Sequence, residues 1–271
     1  ALFSEPARYG FLTIISTLSW GLGYFGMPHV LLKFMAIEKP DELTRSRRIA
    51  TIWVIISLTA AVGIGIIGRI LFPTQLLTQS QAENIFVIMS MEFFLPFIAG
   101  IVMAGILAAT ISSSDSYLLI AASSLSKNIY QGIMKKEASD REVLNVTRIT
   151  LLIVALVAVL IALDENSIIF TIVSFAWAGF GATFGPIMLF SLFWKRVTRT
   201  GAIAGMVTGG SMVFIWKLLI RPLGGIFDIY ELLPAFLLSS IAIIIASYLT
   251  AEESEEIQEE FELVRKSVVS A

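Results

Sequence analysis

Apolar residues run along this chain in long blocks, and the charged residues gather in the short intervals between them. An apolar run of about 18 residues or more reads as a membrane-crossing helix, because about 20 residues rising 1.5 Å each span a hydrocarbon layer of about 30 Å. On that basis seven spans are expected, near residues 9–34, 50–72, 97–126, 148–163, 167–194, 201–220 and 233–250. The first is long enough to bend or break. A shorter amphipathic stretch from Glu83 to Leu95, closed by Pro96, is expected to lie on the membrane surface. Residues 251–271 have helical spacing and a run of glutamates, Glu252, Glu253, Glu255, Glu256, Glu259, Glu260 and Glu262. Such a charge run reads as a solvated helix. The organisation expected is therefore a membrane domain over 1–250 and a charged cytoplasmic tail over 251–271.

Basic residues orient the spans. Fifteen of the nineteen Lys and Arg fall in alternate intervals and the tail: Lys33 to Arg48, Lys127 to Arg148, Lys195 to Arg199, then Arg265 and Lys266. The other side holds Arg8, Arg69, Lys217 and Arg221. Positive charge stays on the cytoplasmic side, so the N-terminus is expected outside and the C-terminus inside. Adding or removing one span would break this alternation.

Composition narrows the classes. The 271 residues are 56% hydrophobic and 15% charged, against about 45–50% and about 25% in soluble domains, and mean hydropathy is +0.85. These values exclude a water-soluble globule. There is no cysteine and a single histidine, His29, so thiolate metal sites and Ser-His-Asp catalysis lack their material. His29 itself reads first as an interfacial histidine. A net charge of −2 leaves no basic footprint for nucleic acid. The phosphate-binding loop GxxxxGK[ST], HExxH and GxSxG are absent, and no enzyme is expected. The chain opens on Ala1 without a charged leader region, which fits a fragment or a processed chain.

Two segments carry candidate chemistry. The first span contains Trp20-Gly21-Leu22-Gly23-Tyr24-Phe25-Gly26-Met27-Pro28-His29. Each Gly costs a helix interior about 1 kcal/mol and Pro about 3, so a continuous helix is hard to hold, with the break expected from Gly21 to Pro28. Unwound backbone at membrane depth is tolerated only against protein or a watery cavity, and interrupted helices carry the midplane sites of secondary transporters. Trp20 and Tyr24, at i and i+4, offer two aromatic faces to a small solute with an apolar ring and a charged amine. The same residues equally fit a proline kink with glycines for close packing, and the stretch alone does not choose.

The third span places Ala109, Ser112, Ser113 and Ser116 at i, i+3, i+4 and i+7, on one helical face. Two hydroxyls and one approachable carbonyl make half of the oxygen shell that a hard cation such as Na⁺ requires. Asp115, three residues from Ser112, is a carboxylate placed within the hydrocarbon layer. That placement costs about 2.5–3.5 kcal/mol and marks a functional candidate. The competing reading is a hydroxyl network that glues helices. Small residues on the fifth span (Ala176, Ala178, Gly179, Gly181, Ala182 and Gly185, with Pro186) and on the sixth (Gly201, Gly205, Gly209) read as close-packing faces. Trp177 reads as either packing or a pathway lining.

Together, Trp20-Gly-Leu-Gly-Tyr-Phe-Gly-x-Pro-His and Ala108-Ala109-x-x-Ser112-Ser113-x-Asp115-Ser116 resemble the sodium:solute symporter family. Ser174-Phe-Ala-Trp-Ala-Gly-Phe-Gly-Ala and Trp194-Lys-Arg-x-Thr-Arg-x-Gly-Ala-x-Ala-Gly-Met add to the likeness. It covers nearly the whole chain but only the C-terminal half of the family's usual length. The resemblance implies an all-α polytopic membrane helix bundle, comprising the second inverted repeat of a LeuT-like fold plus two peripheral helices. It implies sodium-coupled symport across the bacterial plasma membrane, with L-proline the expected solute. Another small organic solute, or a transporter-like sensory module, is the alternative. It implies Na⁺ ligation at Ala109, Ser112 and Ser113, the rest of the shell coming from an absent N-terminal half. Asp115 matches a position that joins a second sodium site in some members, and a carboxylate there departs from members with Ser or Thr. Trp20, Tyr24 and Pro28 match positions implicated in solute binding. Lys33 stands where a relative carries Arg.

Overall fold

In a computed structural model the described residues are 10–39, 42–75, 79–163 and 169–269. Arg8, the first residue of the first expected span, the opening of the fifth, and the last two residues of the tail lie outside them. Every regular element among the described residues is helical. Six helices are long and apolar enough to cross a membrane, and a shorter apolar one covers Phe11–Gly26. These are the seven spans expected from the sequence, the first of them broken.

The chain divides into two compact units, residues 1–48 with 170–271, and residues 49–169. The first unit holds α1 (Phe11–Gly23), α2 (Pro28–Met35) and, beyond the second unit, α8 (Ile169–Phe193), α9 (Arg199–Ile215), α10 (Leu232–Leu249) and α11 (Glu255–Val269). The second holds most of α3 (Glu42–Leu71), then α4 (Gln79–Ala82), α5 (Ile85–Phe93), α6 (Pro96–Ser123) and α7 (Asp140–Ala162).

Small residues build the first unit's core. Gly201, Gly205 and Gly209 are buried along α9. A methyl group on Gly201 would come within 3.0 Å of the Ile243 carbonyl, and one on Gly205 would strike the Ile243 side chain. Lipid tails are as apolar as leucine, so helices in a membrane associate through such close backbone approach rather than through hydrophobic exclusion. The Ser239 hydroxyl donates to the Gly205 carbonyl at 2.8 Å, adding a polar tie across the same seam. Thr198 caps α9, accepting from the Gly201 N–H at 3.1 Å, and its own N–H donates to the Ser247 hydroxyl at 3.2 Å. The buried cluster is completed by Ala178, Ala182, Val213, Tyr230, Leu232, Ala235 and Phe236, with Trp20 and Trp177 packed against it.

In the second unit, α6 runs on from Ser123 into a wider π-helical winding over Ser124–Met134. The third span thus reaches Met134, beyond the expected 126, because polar residues after Ser126 continue the helix outside the apolar block. A Thr147 hydroxyl donating to buried Ser126 at 2.7 Å ties this extension to α7. Ser139 and Glu142 form a reciprocal capping box that starts α7, which satisfies two backbone N–H groups a helix start leaves open. Gly68 on α3 admits the side chains of Ile85 and Met89 from α5.

Candidate functional site

The first span breaks within the expected stretch. Helix α1 continues through Gly21 and ends at Gly23, a tight 3-10 turn covers Tyr24–Gly26, and Met27 is extended at φ −80° and ψ 117°. Helix α2 starts at Pro28. The cause is local: the proline ring bars the preceding residue from helical geometry, and a proline at the first helical position has no N–H to leave unpaired. Gly21 faces open space and takes no part in the break. Gly23 and Gly26 are buried. A side chain on Gly23 would collide with the Trp177 indole, and one on Gly26 would collide with the Phe180 carbonyl of α8. The observed geometry is that of a proline interruption with close packing: Pro28 interrupts the helix, and two of the three glycines let it lie against α8.

Beside the break the aromatic rings converge. The Trp20 ring stacks on Phe170 at 5.2 Å, on Trp177 at 5.8 Å and on Tyr230 at 5.6 Å between centroids. Tyr24 meets Trp177 edge-on at 4.8 Å. The Trp177 indole N–H donates to the Trp20 carbonyl at 3.0 Å. Tyr24 is 56% exposed, while Pro28 and His29 are half-buried. The predicted residues Trp20 and Tyr24 are thus brought together through Trp177, whose role the sequence left open. Phe170 and Tyr230 were not anticipated. They lie far away along the chain, and no spacing rule links them to the break.

Tyr230 sits in the connection before α10 and is 7% exposed. Burial, and then the neighbouring Glu231 carboxylate, push its phenol above the usual tyrosine range. It therefore remains a neutral hydrogen-bond donor, and it donates to the Ser174 carbonyl of α8 at 2.5 Å.

The hydroxyl row lies on an unbroken α6. Ala109, Ser112, Ser113 and Asp115 are all exposed. The Thr110 hydroxyl turns back to the Ile106 carbonyl at 2.9 Å, and the Ser116 hydroxyl turns back to the Ser112 carbonyl at 3.3 Å. Such local bonds let a hydroxyl sit in an apolar helix without a distant partner. Among the described residues no three His, Cys, Asp or Glu side chains gather as a metal cluster. Any cation held here would rest on hydroxyl and carbonyl oxygens, the donor set suited to hard ions.

Among the described residues, six membrane-length helices, an interrupted seventh and polar groups on apolar helices make this a multi-pass membrane protein. The sequence profile of the sodium:solute symporter family matches residues 6–209, and the chain belongs to that family. It is 40% identical over its full length to a sodium/proline symporter of Haemophilus influenzae, 54% of which is covered. It is 38% identical over 93% of its length to a sodium/proline symporter of Salmonella typhimurium, and 40% identical over 93% to that of Escherichia coli, half of each being covered. The chain spans about half the length of the curated relatives it matches. No solved structure matches it significantly.

Proposed function

We propose that this chain forms part of a transporter that couples Na⁺ entry to uptake of L-proline across the bacterial plasma membrane, with its C-terminal tail in the cytoplasm. The observation that carries the reading is the interruption at Tyr24–Met27, set among Trp20, Tyr24 and Trp177. The solute site takes Trp20, Tyr24 and Pro28. Rings recognise the apolar face of a pyrrolidine, and interrupted backbone offers polar groups to its amine and carboxylate. The sodium site takes the Ala109 carbonyl and the Ser112 and Ser113 hydroxyls, with Asp115 beside them. Helices α1 to α8 would make up the second inverted repeat, α9 and α10 the peripheral pair, and an N-terminal half the missing ligands. The sodium/proline relatives at about 40% identity support the choice of solute. Coupling is linkage: each ligand raises the other's affinity by the same factor.

Radiolabelled proline uptake by the full-length transporter in membrane vesicles tests this. Uptake is expected with an inward Na⁺ gradient and is lost when K⁺ replaces Na⁺; equal uptake in K⁺ refutes the coupling. The double variant Ser112→Ala with Ser113→Ala is expected to raise the Na⁺ concentration for half-maximal uptake at least tenfold. An unchanged Na⁺ requirement would remove the row from the site.

A further inference from the structure

Resting on the solute site proposed above, we propose that Tyr230, in the connection between α9 and α10, is a positioning residue that fixes the Trp20 ring for the solute. Tyr230 makes three contacts on two helices, α1 and α8. Its backbone N–H donates to the Ser16 hydroxyl on α1 at 3.0 Å, its phenol donates to the Ser174 carbonyl on α8, and its ring lies nearly parallel to Trp20, 14° between planes. Ser16 lies one helical turn before Trp20, and Ser174 one turn before Trp177, which holds the Trp20 carbonyl. Each tie therefore acts on one of the two helices that frame the aromatic cluster.

The residue that follows makes this more than ordinary packing. Glu231 is fully buried and pairs with Lys217 at 3.3 Å and Arg221 at 2.9 Å, and Arg221 also holds Asp228 at 2.9 Å. A buried ion pair is weak evidence for stability, since desolvation of both charges offsets their attraction. What it does supply is geometry, because the buried Glu231 carboxylate is held from two sides, by Lys217 and by Arg221. The ion pairs hold the connection rigid at the point where Tyr230 enters the helices. A ring clamped at its hydroxyl and at its own backbone gives Trp20 a fixed surface to lie on. A binding face that is already ordered loses less freedom when the solute arrives.

The test uses the full-length transporter in vesicles, with proline uptake measured at saturating Na⁺ and normalised to transporter content. Tyr230→Ala removes the ring, and Tyr230→Phe removes only the hydroxyl. Tyr230→Ala is expected to raise the half-saturating proline concentration about tenfold, with the maximal rate and the Na⁺ requirement changed less than twofold. Tyr230→Phe keeps the ring and is expected to recover most of that loss, to within about threefold of wild type. A wild-type half-saturation in Tyr230→Ala overturns the proposal, and so does a lower maximal rate at unchanged half-saturation. If Tyr230→Ala does not reach the membrane, Tyr230→Phe decides alone: a rise of twofold to threefold supports the proposal and none overturns it. A wild-type transporter without Na⁺-dependent proline uptake removes the function proposed above and this inference together, an outcome distinct from all the others.

Discussion

In α8 and α10 a third of the most apolar window is buried within the chain, whereas in α3 and α7 none of it is, and in α6 with its extension 6%. Hydropathy does not explain the difference, since α10 at 2.2 matches α3 at 2.3 and α7 at 2.4. Residue size contributes. The first unit brings Gly181 and Gly185 on α8, and Gly201, Gly205 and Gly209 on α9, to points where one added methyl group meets a neighbour. The outward surfaces of α3 and α7 are runs of isoleucine, valine and leucine, which pack as well against lipid tails as against another helix. Small residues permit close approach without forcing it, since Gly63 and Gly65 on α3 and Gly100 and Gly105 on α6 face open space. The exposed row on α6 is different again. Ser116 turns back to its own helix, but lipid satisfies neither Asp115 nor the Ser112 and Ser113 hydroxyls, so that face calls for water, an ion or a further helix.

Perturbing each region sharpens the contrast. The largest effect is expected from Glu231→Ala in the packed unit, which takes the carboxylate from Lys217 and leaves Arg221 with Asp228 alone. Breaking such a pair costs about 3–5 kcal/mol, read as a fall in thermal stability of the purified transporter in detergent. A change below about 1 kcal/mol would mean that water reaches the carboxylate. Gly26→Ala comes next, because its methyl meets backbone rather than a yielding side chain. Overpacking of this kind costs about 1–3 kcal/mol, and a neutral result would detach the break from α8. In the open unit, the Ser112→Ala with Ser113→Ala variant is expected to change stability by less than about 1 kcal/mol, since both side chains are exposed and surface substitutions are mild. A large loss of stability there would make the row structural glue. Smallest is Gly21→Ala, which faces open space within a helix. It is expected to stabilise by up to about 1 kcal/mol, the opposite sign to Gly26→Ala five residues away.

Much of this was legible without a structure. The spans and the helical tail follow from local rules, because hydropathy and charge patterning act over a few residues. The break was legible too, and it falls at Tyr24–Met27, inside the expected stretch from Gly21 to Pro28. Glycine content lowers helix stability along the whole stretch, but Pro28 alone dictates where the chain must leave helical geometry. The small-residue faces of α8 and α9 were read as packing surfaces, and they pack. The partners of Trp20 were not legible. Phe170, Trp177 and Tyr230 arrive from helices and a connection more than a hundred residues further along, and nothing in their own surroundings points to Trp20.

By itself the sequence determined which segments enter a membrane, where the first of them must break, and which polar residues enter with them. Each is a free-energy preference set by a residue and its near neighbours in a uniform apolar solvent. Only the tertiary structure decided that Gly23 and Gly26 are contact points while Gly21 is not, that Trp177 joins Trp20 to Tyr24, and that a buried Glu231 anchors the connection holding Tyr230. Those outcomes depend on which helix lies against which. In a membrane that choice follows from how closely two backbones fit, a property of surfaces brought together by folding.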